Sequence, residues 1–208
     1  MKLLMFLLPV FIATGLNAEV LVYKETIGDK SREISIIRET RTEGENTIFR
    51  TEDDEKITER TLKPDGTGLS MVASGEDGLI RLRLADGRVE YEGEWEGAAR
   101  KGSVATNGLP WYPDIADACV VMTKSEQKRI EFLYVDADGS NSKVVLTNQG
   151  FETIAGRKAL RIKASLTGIL SMFWNATFWM SPEGTMIKYS GKDEPGEPDM
   201  VLELSVRE

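Results

Sequence analysis

The sequence contains no histidine and a single cysteine, Cys119, among its 208 residues. Without histidine, the chain cannot build a Ser-His-Asp or Cys-His catalytic centre, and it lacks the ligands of an ordinary zinc site. An enzyme would then depend on carboxylates, lysine, serine or tyrosine, and no spacing of these residues indicates a catalytic group. We therefore expect a protein that is not an enzyme and that holds no metal and no cofactor.

Long apolar runs are also missing, except at the N-terminus. Residues 1–18 combine a positive start at Lys2, the apolar run LLMFLLPVFIA and a plausible cleavage site at Leu16-Asn17-Ala18. The run is shorter than the about 20 residues that a membrane-spanning helix needs. We predict a signal peptide over 1–18 and a single domain over 19–208, periplasmic or secreted, without a transmembrane segment after cleavage. The alternative is an uncleaved membrane anchor.

Basic residues are the minority among the charged side chains. The chain carries 26 Lys and Arg against 34 Asp and Glu, a net charge of −8. An acidic surface repels phosphate backbones and anionic headgroups. Nucleic acid is therefore not an expected partner.

Short strand-like runs are separated by turn signals along most of the chain, at intervals of about 8–12 residues. This rhythm is typical of an all-β sandwich or barrel. The runs that we interpret as strands are 19–26, 31–42, 47–51, 56–62, 69–73, 79–95, 128–136, 143–153, 158–167, 173–180, the strand after the turn at 181–184, and 200–206.

The clearest hairpin lies within 79–95. Asp86-Gly87 suits a two-residue type I′ turn, which requires positive φ at both central residues. Folding about this turn places Leu84 opposite Val89 and Arg83 opposite Glu90. Apolar residues then share one face, and opposite charges meet on the other.

One helix interrupts the strand rhythm. The prolines of 108–113 cannot continue a central strand, and Asp114 can cap a helix over 114–123. Ile115, Ala118, Cys119 and Met122 then share one apolar stripe, which has to be buried for so short a helix to be stable. Cys119 on this stripe is a small buried hydrophobe, or alternatively a reactive thiol or an intermolecular disulfide.

Two groups of acidic residues are candidates, one for a catalytic carboxylate pair and the other for a calcium-binding loop. Carboxylates line one face of the strand 90–96, but two of them lie opposite arginines, which lowers a carboxylate pKa where a general acid needs it raised. Residues 136–142 (DADGSNS) have glycine fourth, whereas a calcium loop of the EF-hand type needs it sixth. We interpret the first as an ion-paired strand face and the second as a polar turn.

The last third of the chain carries a further pattern. Residues 156–162 (GRKALRI) give a glycine turn and an alternating strand, and residues 178–189 (FWMSPEGTMIKY) give a tryptophan-bearing strand, a turn and a returning strand. At these residues the chain resembles periplasmic envelope proteins with a lipoprotein-carrier-like half-barrel. The resemblance implies a curved antiparallel sheet that wraps around a helical lid and encloses an apolar pocket.

We accordingly predict a mainly β fold: one curved antiparallel sheet, a half-barrel or open barrel, with one short helix on its concave face. A two-sheet sandwich is the alternative. The predicted function is the binding of a lipid-like or other apolar ligand by a non-enzymatic exported protein. The predicted ligand-binding residues are Trp111, Ile115, Cys119, Met122, Leu160, Ile162, Phe178 and Trp179.

Two competing interpretations stay open. The same residues could simply fill a packed core and touch one another. The protein could also be a structural or adaptor protein that binds other envelope proteins, in which case Trp111 and Tyr112 would be exposed.

Overall fold

The computed structural model describes residues 17–168, 174–192 and 198–207, which form fourteen strands and one helix. The strands are β1 (Asn17–Ile27), β2 (Lys30–Glu43), β3 (Asn46–Glu52), β4 (Lys56–Leu62), β5 (Gly68–Gly75), β6 (Gly78–Ala85), β7 (Arg88–Trp95), β8 (Ala98–Ala105), β9 (Arg129–Val135), β10 (Asn141–Ile154), β11 (Arg157–Leu166), β12 (Asn175–Met180), β13 (Met186–Gly191) and β14 (Met200–Arg207). The helix is α1 (Ile115–Thr123).

Most of the predicted signal peptide lies outside the described residues, and only Asn17 and Ala18 appear, at the start of β1. Phe173, at the start of a predicted strand, also lies outside them. Among the residues that are described, no helix is long and apolar enough to cross a membrane.

All fourteen strands belong to one antiparallel sheet, in the order β8-β7-β6-β5-β4-β3-β2-β1-β14-β13-β12-β11-β10-β9. Strands that follow one another in sequence are neighbours in the sheet, except for β8 and β9. In addition, the first strand pairs with the last, so that Tyr23 lies opposite Leu204. The edges of the sheet are therefore β8 and β9, two strands from the middle of the chain. The segment that joins them contains α1.

The two ends of the sheet approach each other and nearly close it. Leu133 and Val135 of β9 pack in one apolar cluster with Ile80 and Val89, which belong to strands near the opposite edge. Trp111 forms a short parallel bridge with Leu133, whose N–H donates to the carbonyl oxygen of Pro110 at 2.9 Å. The predicted curved antiparallel sheet with a single short helix is confirmed, and the sandwich is not formed.

The helix begins where the sequence predicts. Asp114 has extended backbone angles, and its side chain accepts the N–H of Ala116 at 2.8 Å, which satisfies one of the free donors of the first turn. Ala118, Cys119 and Met122 are buried, and the helix contacts β9, β10 and β12. Its apolar stripe thus packs on the concave side of the sheet.

The hairpin of β6 and β7 has the predicted register, with Leu84 opposite Val89 and Arg83 opposite Glu90. Asp86 and Gly87 both have positive φ, as a type I′ turn requires. The strand β8 was not predicted, because its sequence AARKGSVA lacks a regular alternation of apolar and polar residues. It pairs with β7 along its whole length.

Candidate functional site

The structure brings five of the eight predicted ligand-binding residues into one packed cluster. Cys119, Met122, Leu160, Ile162 and Phe178 are all buried in it, and Ile115 packs against its edge. These side chains contact one another, as the packed-core interpretation expects. Burial raises the pKa of the Cys119 thiol well above its usual value, which disfavours the reactive thiolate.

Trp179 and Phe178 cannot share a wall, because consecutive residues of a strand point to opposite faces. Phe178 is buried in the packed cluster, whereas the indole N–H of Trp179 donates to the Glu152 carboxylate on the outer face. Arg161 and Lys188 lie 5.8 and 5.7 Å from its ring centre. Trp179 therefore lies on the face of the sheet opposite Phe178 and does not join the predicted ligand-binding residues in the packed cluster.

Trp111 also lies apart from the predicted site. It is 1% exposed and belongs to the cluster at the closure of the sheet, beside Leu133. Tyr112 is buried as well and packs edge-to-face on Phe132 at 5.2 Å. Neither residue provides the exposed aromatic patch that the adaptor interpretation expects.

A cavity of about 640 Å³ lies on the other side of the helix, between α1 and strands β1 to β4; we call it the α1 cavity. Among the described residues that line it, none is one of the eight predicted ones. Its apolar lining residues are Leu21, Tyr23, Ile36, Phe49, Leu62, Pro64, Ala116, Val120, Val121, Met180 and Met186.

The helix therefore divides the interior into a packed side and an open side. Ala118, Cys119 and Met122 are buried in the packed cluster. The residues of this segment that line the α1 cavity are Ala116, Asp117, Val120, Val121 and Lys124, and of these Val120 and Val121 also pack against the cluster. The sequence carries a weak signal for this second face, since Val120 and Val121 are apolar but lie off the stripe. Apolar residues on both faces of a short helix indicate contacts on both sides.

Two glycines set the position of the helix over the cavity. A side chain at Gly66 would overlap Cγ2 of Val121, and one at Gly184 would lie 3.1 Å from Cγ1 of Val120. Both glycines also have positive φ, +84° and +93°, which favours glycine. The loop after β4 and the turn after β12 thus approach the helix closely on two sides.

A buried charge cluster lies in the cavity wall. Arg60 of β4 is 6% exposed, and its Nη1 lies 2.5 Å from Oδ2 of Asp114 and 3.4 Å from Oδ1 of Asp117. Burial raises the pKa of Asp117 to about 7; the attraction of Arg60 opposes this shift, and the charge of Asp114 adds to it. The cluster ties the first turn of α1 to the sheet.

A second, smaller cavity of about 400 Å³ lies at the turn between β12 and β13. Its lining residues are Arg157, Lys158, Ser181, Pro182, Glu183, Thr185, Ile187 and Leu204. This cavity has three apolar side chains, whereas the α1 cavity has eleven, and the helix does not contribute to it. The α1 cavity is therefore the better candidate for an apolar ligand.

The acidic patterns take the structural roles that the sequence predicts. Arg83 donates to Glu90 at 2.8 Å on the strand face, and Asp136 and Ser140 close the polar turn by a backbone hydrogen bond of 2.9 Å. Within the described ranges, no three His, Cys, Asp or Glu side chains are close enough to hold a metal ion.

No family model matches the chain, and no curated protein matches it. Among solved structures, it is similar to a β-barrel-like protein of the domain of unknown function DUF1849 from Brucella abortus. That superposition has a TM-score of 0.60 and 9% identity, over 92% of this chain and 97% of the other. It shows a shared fold.

Two weaker likenesses concern lipoprotein-carrier-like proteins. One is to a domain named for outer membrane lipoprotein sorting from Vibrio parahaemolyticus, with a TM-score of 0.30 and 9% identity over 92% of this chain and 84% of the other. The second is to a LolA superfamily protein from Nitrosomonas europaea, with a TM-score of 0.20 and 8% identity over 95% and 87%. Both matches cover most of the chain, whereas the shared fold rests on the superposition with the Brucella abortus protein.

Proposed function

We propose that the protein is an exported, non-enzymatic binding protein that holds a lipid-like or other apolar ligand in the α1 cavity. The observation that carries the proposal is the cavity itself, with apolar side chains from β1, β2, β3, β4 and α1 around its interior. Its volume of about 640 Å³ falls within the roughly 300–1,000 Å³ typical of small-molecule sites. Export is supported by the signal-peptide pattern of residues 1–18.

Apolar burial supplies the driving force for such a site. Each Å² of apolar ligand surface removed from water contributes about 25 cal/mol, and the loss of translational and rotational freedom costs about 4–15 kcal/mol. A ligand therefore needs several hundred Å² of apolar surface to bind with useful affinity. A single long alkyl chain supplies a surface of this order, which favours lipid-like molecules over small solutes.

Saturable binding of a fluorescent fatty-acid analogue tests the proposal. Ile36 of β2 lines the cavity, and its neighbour Ile37 is 39% exposed on the opposite face of the same strand. We expect Ile36→Trp to fill part of the cavity and weaken binding by at least about tenfold, a loss of about 1.4 kcal/mol.

Ile37→Trp adds the same side chain outside the cavity, so it is the matched control and should bind the analogue as the wild type does. The absence of saturable binding by the wild type would overturn the proposed function. Equal weakening by both variants would place the ligand elsewhere.

A further inference from the structure

Eleven apolar side chains line the α1 cavity together with polar and charged ones, among them a charge cluster whose hydrogen bonds are incomplete. Arg60 and Asp117 both line the cavity and are both 6% exposed. Nε of Arg60 and Oδ2 of Asp117 have no hydrogen-bond partner in the part of the chain that the structure describes. A buried donor and a buried acceptor without partners are costly, and both occur in one ion pair.

These two atoms belong to side chains that contact each other. Nε and Nη1 share the central carbon of the guanidinium, and Oδ1 and Oδ2 share the carboxyl carbon, while Nη1 and Oδ1 are 3.4 Å apart. A single polar group that both accepts and donates hydrogen bonds thus has one partner atom in each of the two side chains.

The charges of the cluster restrict which polar group fits. Arg60 faces two carboxylates, those of Asp114 and Asp117, so a further anion would meet repulsion from both. A cation would lie against the guanidinium. The group that fits is uncharged, accepts one hydrogen bond and donates another, as a hydroxyl or an amide does.

We propose that the α1 cavity selects an apolar chain that carries an uncharged hydroxyl or amide group, bound between Arg60 and Asp117. The group accepts from Nε–H of Arg60 and donates to Oδ2 of Asp117. Neither atom is exposed in this structure, although both residues line the cavity. The two side chains therefore have to turn toward the cavity before these hydrogen bonds form. This inference rests on the proposed function, since it names the chemical class of the same ligand.

The position of the cluster also orients the ligand. Asp114 caps α1 and Asp117 lies in its first turn, so the polar group sits at the start of the helix. The apolar chain then extends along Val120 and Val121, toward the end of the helix. Such a ligand satisfies the cluster without leaving its chain in water.

A set of ten-carbon probes tests the selection: decanamide, decanol, decyl methyl ether and decanoate, each used to displace the fluorescent fatty-acid analogue. At about pH 8, where carboxylates are ionised, we expect the amide and the alcohol to bind about tenfold more tightly than the ether and the carboxylate. The ether oxygen can accept a hydrogen bond from Arg60 but cannot donate one to Asp117. Its affinity therefore separates recognition by both side chains from recognition by Arg60 alone.

The double variant Arg60→Met/Asp117→Leu removes both charges and makes this part of the cavity wall apolar. Proteins often keep their stability when a buried ion pair is replaced by apolar residues of similar volume. We expect it to bind the fluorescent analogue and to lose the preference for amide and alcohol. Equal affinities of the four probes for the wild type, or an unchanged preference in the double variant, would overturn the inference and leave the proposed function standing. If the analogue itself does not bind, the proposed function fails and this inference fails with it.

Discussion

Nη1 of Arg60 on β4 lies 3.4 Å from Oδ1 of Asp117 on α1, and both side chains are buried. The contact joins the helix to a strand that is distant from it in sequence. The carboxyl group is thus held in an apolar setting with one cation beside it and a second carboxylate, that of Asp114, close by. Its protonation is linked to the stability of the fold.

We expect the free energy of unfolding to decrease as pH rises from about 5 to 7.5, through the release of the proton on Asp117. Burial raises the pKa of Asp117 in the folded state to about 7, whereas an aspartate in an unfolded chain titrates near about 3.9. A raised folded-state pKa stabilises the fold fully below the unfolded value, and this contribution is lost as pH rises through the folded value. The slope can reach about 1.4 kcal/mol per pH unit.

Urea unfolding of the wild type and of Asp117→Asn across this pH range measures the effect. Asparagine does not titrate, so the variant should lack this part of the slope. Asp54→Asn changes an exposed aspartate and should keep the wild-type slope. The explanation fails if Asp117→Asn and the wild type show the same pH dependence.

Gly66→Ala should destabilise the protein more than Gly28→Ala does. Both glycines have positive φ, so each substitution costs about 1–2 kcal/mol in backbone conformation. At Gly28 nothing lies within 4 Å of the added methyl group, whereas at Gly66 it overlaps Val121. We expect an additional loss of about 1–3 kcal/mol from the displaced helix, measured by urea unfolding.

Adding Val121→Ala to Gly66→Ala makes room for the methyl group and separates packing from backbone strain. Part of the lost stability should return in this double variant, relative to Val121→Ala alone. Equal losses for Gly66→Ala and Gly28→Ala would mean that the loop after β4 does not hold the helix.

Phe178→Ala should destabilise the fold by roughly 3–5 kcal/mol, because it opens a cavity in the packed cluster. Phe178 is buried and packs edge-to-face on Tyr189, with ring centres 5.1 Å apart. Trp179→Ala removes a larger side chain from the outer face of the same strand. We expect the loss in free energy of unfolding there to be less than half as large, and a larger loss at Trp179 would reverse the assignment of faces.

Local features could be predicted from the sequence because neighbouring residues determine them. Asp86-Gly87 specifies a turn through its backbone preferences, and alternation on either side specifies the register of β6 and β7. Asp114 specifies the start of α1 in the same way, through a hydrogen bond to a residue two positions along. The strand β8 has no comparable signal, and only its pairing with β7 forms it.

The face on which Trp179 lies could have been predicted from the same local information. Period two puts residues 178 and 179 on opposite faces of any strand. Aromatic residues that are adjacent in the sequence, such as Phe178 and Trp179, therefore do not lie on the same face of a sheet. The partner of Trp179, Glu152, comes from another strand and lies 27 residues away.

The sequence by itself determined the class of fold, the strand rhythm, the hairpin turns and the apolar stripe of the helix, because each depends on residues within a few positions of one another. Tertiary structure decided which side of α1 is packed and which faces a cavity. It paired β1 with β14 and brought Arg60 to Asp114 across 54 residues of chain. Long-range pairing depends on how the whole sheet curves and closes, and no local pattern of residues encodes that curvature.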